Sequence, residues 1–379
     1  MKKIGLYIIL ASELTSCGQR LSHDSLTHEG VEIKADSTLG SVTYIGRMTT
    51  ARSAHSATLL KNGTVLICGG FTGASLASAE VYNPELKTFK PVGQMRFARS
   101  GHSATLLPDG KVLIAGGYNG NYLSSTEVFD PEKETFSIGP LLNVPRSGHT
   151  ATTLKGGEVL LAGGISTGWA FLQSAELYDV EKATFAPIGS MKVARESHTA
   201  TLLKNGNVLI TGGHEGRRPN IKIHPSAEIY SLNSKTFSVT GSMSLKRHKH
   251  DAVLLSNGMV LVTGGSDERD SRGVYNDTEL YDPASSSFQS SAHMNFRRYK
   301  HYSTSILLSN GNVLITGGAN KAELYRTRYA KFTPIPGDLE LQMLFSCATL
   351  LSNGNVLITG GYDENQKISS GSWVFSSSQ

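Results

Sequence analysis

From residue 48 onward, short apolar runs alternate with turn-forming residues in a fixed rhythm. The first copy holds Met48, Arg52-x-x-His55, the run Ala57–Leu60, Asn62-Gly63, the run Val65–Ile67 and the pair Gly69-Gly70. It closes with Ala79-Glu80-Val81-Tyr82 and Phe89. Asn-Gly between two β-rich runs is a strong hairpin signal. The continuous apolar run after it predicts a strand buried on both faces. Each copy carries four such runs separated by turn signals, which predicts an all-β chain.

The double glycines fall at 69–70, 116–117, 163–164, 212–213, 264–265, 317–318 and 360–361, spaced by 47, 47, 49, 52, 53 and 43 residues. The turn between the first two strands recurs as Asp109-Gly110, Gly156-Gly157, Asn205-Gly206, Asn257-Gly258, Asn310-Gly311 and Asn353-Gly354. Seven copies with a double glycine and a Glu-x-Tyr strand resemble the kelch repeat, one blade of a β-propeller. The resemblance covers residues 41–376. One departure is phenylalanine (Phe89, Phe136, Phe185, Phe237, Phe288, Phe332) where such repeats commonly carry tryptophan.

The resemblance implies a seven-bladed propeller of four-stranded antiparallel blades, strands a to d from the axis outward. The chain stops after a third strand, Trp373-Val374-Phe375, and an unassigned run at Val42–Ile45 precedes the first copy. The N-terminal strand is therefore expected to complete the last blade and close the ring, leaving only short edges. Residues 41–379 then form one domain despite the length.

Composition changes little in this picture. Glycine makes up 40 of 379 residues, above the roughly 7% average, and the repeat absorbs much of the excess. A hydrophobic content of 39% excludes a disordered chain, and a net charge of +5 gives no reason to expect a nucleic-acid partner.

The N-terminus is different in kind. Lys2 and Lys3, a short apolar run to Ala11, then Leu14-Thr15-Ser16-Cys17 read as an export signal. The last four residues resemble a bacterial lipobox. That implies removal of residues 1–16, lipidation of Cys17, a polar tether over residues 17–40 and a place in the bacterial cell envelope. The tether would span roughly 25–30 Å if flexible and would hold the face of the a–b turns toward the membrane. Cys68 and Cys347 sit inside apolar runs and are expected to be buried thiols.

Six Arg-x-x-His motifs pair Arg52 with His55, Arg99 with His102, Arg146 with His149, Arg195 with His198, Arg247 with His250 and Arg298 with His301. Six acids recur with them: Glu80, Glu127, Glu176, Glu228, Glu279 and Glu323. The seventh copy has Met343, Ser346 and Trp373 in the three places. Joint loss in one copy points to a buried structural network rather than a catalytic ring. Copy six carries two extra residues between His301 and Leu307, expected as a bulge.

Function is expected where the copies differ. The loops joining strands b and c are long in copies three, four and five, and position-specific loops on a rigid frame are the usual place for a binding site. In kelch-type adaptors the residue after Gly-Gly reaches the ligand, which implies Phe71, Tyr118, His214 and Tyr362 here. Trp169 and Tyr275 add aromatic surface for a sugar or peptide. Arg217, Arg218, His224, Arg269 and Arg272 add a basic sector suited to an anionic group.

The leading expectation is a non-enzymatic, monomeric binding module for a glycan or a protein, with no cofactor, no metal and membrane contact only through lipid. An alternative is a carbohydrate-active enzyme of the isomerase or mutarotase type, with His214 and His224 near Glu215 as its acid–base group. A copper oxidase would need a tyrosine–cysteine pair at the loop face, which two strand-interior cysteines do not offer. A third reading is an envelope scaffold without a small ligand.

Overall fold

The computed structural model describes residues 36–377. The expected signal peptide, Cys17 and most of the expected tether lie outside the described residues. The last five tether positions, 36–40, rest against the domain. Asp36 N donates to Pro334 O at 3.1 Å, and Ser37–Leu39 make one 3-10 turn.

Seven four-stranded antiparallel sheets surround an axis. Blade 1 comprises strands Ser56–Leu59, Val65–Cys68, Ala79–Asn83 and Thr88–Pro91. Blades 2 to 6 repeat this order. Blade 7 takes Cys347–Leu350, Val356–Thr359 and Gly371–Ser376 from the C-terminus, and Ser41–Arg47 pairs with the last of these as strand d. The ring therefore closes as the unpaired N-terminal run predicted. The register Ser41↔Ser376 and Arg47↔Gly371 places the start of the domain at the c–d end of blade 7, away from the b–c loops.

The sequence pattern explains the layering. Strand b is buried at every position because it packs between two neighbouring blades, and it is apolar throughout in blade 1, as Val65, Leu66, Ile67 and Cys68, while a threonine closes it in blades 4, 5 and 7. Each such side chain contributes roughly 1.5–3 kcal/mol of burial. Strand d is an edge, and Thr88 and Lys90 are exposed. In blades 1 to 6 the strand-c aromatic packs on the strand-d phenylalanine at 4.8–5.1 Å between ring centroids, so phenylalanine does serve as the aromatic anchor.

The double glycine joins blades. Gly70 has φ +96°, and its amide donates to Arg99 O of blade 2 at 2.9 Å. The equivalent bond recurs at every junction, ending with Gly361 N to Arg52 O at 2.9 Å across the closure. A Cβ on Gly69 would lie 2.7 Å from Arg99 O, so a side chain there collides with the next blade's backbone.

The six Arg–Glu pairs are buried braces at 2.8–3.0 Å. In blade 2, Glu127 accepts from Arg99 Nη2 at 2.8 Å and from the amides of Arg96 and Phe97 at 2.7 and 3.1 Å. It thereby pins the loop entering its own blade. The histidine stands apart from this pair and reaches back to the preceding blade, as His102 Nε2 to Ser56 Oγ and His149 Nε2 to Ser103 Oγ, both at 3.0 Å. Burial, with the neighbouring arginine adding to it, pushes both imidazoles below their ordinary range, so they are neutral hydrogen-bonding groups.

Candidate functional site

The inner strands leave a funnel of about 680 Å³ on the axis. Its wall is not sevenfold. The two residues between Arg and His are Ser-Ala, Ser-Gly and Ser-Gly in blades 1 to 3, then Glu-Ser, His-Lys, Tyr-Lys and Leu-Phe in blades 4 to 7. The second of each pair has positive φ in all seven blades: Ala54, Gly101, Gly148, Ser197, Lys249, Lys300 and Phe345. Six backbone bonds link these positions from blade to blade, for example Lys300 N to Lys249 O at 2.8 Å and Phe345 N to Lys300 O at 2.7 Å. This belt holds one residue per blade at the axis. Where Gly101 or Gly148 stands, the position is bare. Where Lys249, Lys300 or Phe345 stands, a left-handed backbone costing about 1 kcal/mol presents a large side chain.

The long b–c loops fold over this wall. In blade 3, Ile165–Ser166 pairs with Ala170–Phe171, and in blade 4, His214–Glu215 pairs with Lys222–Ile223. Arg217 lays its guanidinium over the Trp169 ring and so joins the two loops. Trp169 meets Tyr122 edge-on at 6.1 Å, and Tyr122 meets Tyr118 at 5.0 Å. Phe171 packs against His214 at 5.4 Å, and His214 against His248 at 4.9 Å.

Charges gather on blades 4 to 6. His214 Nε2 lies 3.5 Å from Glu196 Oε2, and its Nδ1 lies 3.2 Å from His248 Nδ1. Lys249 Nζ donates to Asp270 Oδ1 at 3.0 Å. Lys300 Nζ donates to the Tyr362 hydroxyl at 3.0 Å and sits between the rings of Tyr299, Phe345 and Tyr362. Burial raises Glu196 to about 7 against the pull of Arg217. Burial, reinforced by Lys300 and opposed by Asp270, lowers Lys249 to about 8. Burial alone would raise Asp270, but Lys249 and Lys300 hold its carboxyl below the usual range. Burial leaves His248 neutral, lowered to about 4, and its buried Nε2 has no hydrogen-bond partner among the described residues.

The two extra residues of copy six are Tyr302 and Ser303. They form a turn, and both line the funnel. Buried Asp251 braces that turn, accepting from Thr304 N at 2.9 Å and Ser305 N at 2.8 Å. The insertion thus places a tyrosine that no other blade supplies.

The expected ligand residues divide. Phe71, Trp169, His214, Arg217 and Arg218 line the funnel. Tyr118 and Tyr362 are buried and support Tyr122 and Lys300 instead. His224 sits behind the wall, 3.7 Å from Glu215, so the expected His214–His224 acid–base pair is divided between two carboxylates. Arg269 is exposed and tied to Asp267 at 2.6 Å, and neither it, Arg272 nor Tyr275 lines the funnel. The reason is the short 3-10 turn Asp270–Arg272, which turns buried Asp270 to the wall and leaves both arginines exposed.

The residues not anticipated are Glu196, His248, Lys249, Asp270, Lys300, Tyr302 and Phe345. All but Asp270 and Tyr302 occupy the two positions inside the Arg-x-x-His motif or its blade-7 counterpart, where the copies visibly differ.

The Kelch motif family model matches residues 52–96 and 98–140, which are the copies of blades 1 and 2. None of the curated proteins compared matches the chain. Among solved structures, the chain is similar to a fungal alcohol oxidase of the AA5 family solved in complex with copper. The TM-score is 0.68 at 16% identity, over 89% of this chain and 76% of the oxidase. At that identity the likeness speaks to the fold alone.

The described residues do not fit a copper centre. Among the described residues no group of three or more His, Cys, Asp or Glu could hold a metal ion. Cys68 is buried in strand b. Cys347, expected as a buried thiol in a strand interior, instead opens strand a of blade 7, is half-buried and lines the funnel. Its thiol donates to His55 O at 3.1 Å, and burial pushes it up to about 12, far from a reactive thiolate.

Proposed function

We propose that this seven-bladed kelch-repeat propeller is a binding module that takes a glycan or a protein segment into the funnel beneath its b–c loops. One observation carries the reading: residues that break the repeat in blades 3 to 7, among them Trp169, Glu196, Arg217, Lys249, Asp270 and Phe345, line one cavity while the frame stays constant. Trp169, Phe171, Phe71 and Phe345 offer apolar and stacking surface. Lys249, Arg217 and Arg218 line the same wall, and the two arginines suit a ligand with an anionic group.

Export and lipidation at Cys17 complete the proposal. The domain would then hang from the bacterial envelope by a segment that enters at the c–d end of blade 7, leaving the funnel free to face outward.

Binding to arrayed glycans and to immobilised envelope proteins tests it. Trp169→Ala and Arg217→Ala remove the clasp joining two loops, and each is expected to weaken capture at least tenfold with the urea midpoint little changed. Capture undiminished in both variants would place the ligand elsewhere.

A further inference from the structure

The funnel holds a group that a purely non-covalent binding site does not need. Lys249 is a buried lysine on the cavity wall, at a backbone position where two other blades carry glycine. Its side chain is 9% exposed, and that exposure is toward a cavity open to solvent. Lysine costs more than glycine in the left-handed region, so the frame bears strain to hold an amine at this point. The neighbours are those an amine nucleophile requires: a carboxylate, Asp270, within hydrogen-bonding reach, and a second buried cation, Lys300, on the next blade.

We propose that Lys249 captures an aldehyde or ketone bearing an anionic group by forming a reversible imine. The inference rests on the funnel being the ligand site and goes beyond it to the bond made there. The neutral amine nitrogen attacks the carbonyl carbon, giving a carbinolamine. The Asp270 carboxylate takes the remaining proton from the nitrogen and passes it to the hydroxyl, which leaves as water as the C=N bond forms. Hydrolysis reverses each step, so no oxidant or reductant enters. Arg218 lines the same funnel, near enough to His248 to act on its charge, and would pair with the ligand's carboxylate or phosphate.

The lowered affinity of Lys249 for its proton agrees with this role. With a value of about 8, a useful fraction is neutral near physiological pH, whereas an exposed lysine near 10.4 is almost wholly charged. Two neighbours set that value in opposite senses: Lys300 lowers it and Asp270 raises it.

The test is reductive trapping on the full chain. Glyoxylate with cyanoborohydride converts an imine-forming lysine to N-carboxymethyl-lysine, which peptide mass mapping locates. Lys249 is expected to label saturably and at least tenfold faster than exposed Lys90, with a rate midpoint near pH 8. Uncharged glycolaldehyde should label it more slowly than glyoxylate. Lys249→Gly, which suits the positive φ, removes the adduct, and a retained far-UV circular dichroism spectrum with a cooperative urea transition verifies its fold. Lys300→Gln should move the rate midpoint up, and Asp270→Asn should move it down. Labelling of Lys249 that is non-saturable, or no faster than that of Lys90, overturns the proposal. If glycan or protein capture through Trp169 persists in that case, the binding reading stands without the covalent step. If both fail, the funnel is not the ligand site.

Discussion

Replacing Glu127 by leucine isolates the contribution of one buried brace. The substitution leaves Arg99, fully buried, without its carboxylate, and it strands the amides of Arg96 and Phe97 that the same carboxylate accepts. Arg99 keeps its bonds to Gly116 O at 2.6 Å and Ser125 O at 3.0 Å, so the charge is solvated in part but unpaired. Breaking a buried pair from one side costs about 3–5 kcal/mol, and the two lost amide bonds place this case toward the upper end. Burial already weakens the hold of Arg99 on its proton, which shows how poorly the site tolerates an isolated cation.

Blade 7 shows the alternative, because Met343 and Trp373 fill the equivalent space without charge and are both buried. The double variant Arg99→Met/Glu127→Leu is therefore expected to recover at least 2 kcal/mol relative to the sum of the single losses. Urea unfolding of the four proteins, followed by far-UV circular dichroism at constant m-value, measures the cycle. A loss below about 1 kcal/mol for Glu127→Leu, or simple additivity in the double variant, would refute the account of these pairs as coupled braces.

Two further outcomes follow from the frame and the funnel. Glu196 has an ordinary value of 4.5 and is raised to about 7 in the fold, so its protonated form supports the native state. That support is complete below about pH 4.5 and is lost as pH rises through 7. Its ceiling is on the order of 3 kcal/mol, reduced by the residual exposure of the side chain. The urea midpoint of Glu196→Gln should therefore fall less between pH 5 and 8 than that of the parent chain, and parallel curves would contradict it. Gly116→Ala brings a Cβ onto Arg146 O at a φ of +62°, and a loss of roughly 2–4 kcal/mol is expected from strain and overpacking. A change under 0.5 kcal/mol in the same assay would contradict the close approach of blades 2 and 3.

Much of the frame could be read from local sequence because its causes are local. Asn62-Gly63 makes its turn, and Val65–Cys68 must be covered on both sides, whatever surrounds them. Repetition then multiplied a modest signal seven times, and the unpaired run at Val42–Ile45 was enough to predict closure. The coupling of Arg, His and Glu in one network was legible only in part. Arg and Glu meet within a blade, but the histidine bonds across to its neighbour, a distinction that spacing cannot make.

The site divides along the same line. Trp169, Arg217 and Arg218 were visible because long loops advertise themselves by breaking the repeat length. Glu196, His248, Lys249 and Lys300 break it without changing length, inside a motif whose flanking Arg and His drew attention to the frame. Asp270 and Arg269 are adjacent in sequence, yet one reaches the wall and the other faces solvent, and only the geometry of a single 3-10 turn separates them.

By itself, then, the sequence determined blade number, strand order, closure and the buried braces, because those follow from short-range turn chemistry and burial repeated along the chain. Tertiary structure alone decided that residues from blades 4, 5, 6 and 7, separated by up to 149 positions between Glu196 and Phe345, share one funnel. Ring closure is what brings the inner strands to a common axis. Burial at that axis, with the carboxylate and second cation that it places beside Lys249, is what turns an ordinary lysine into a candidate nucleophile.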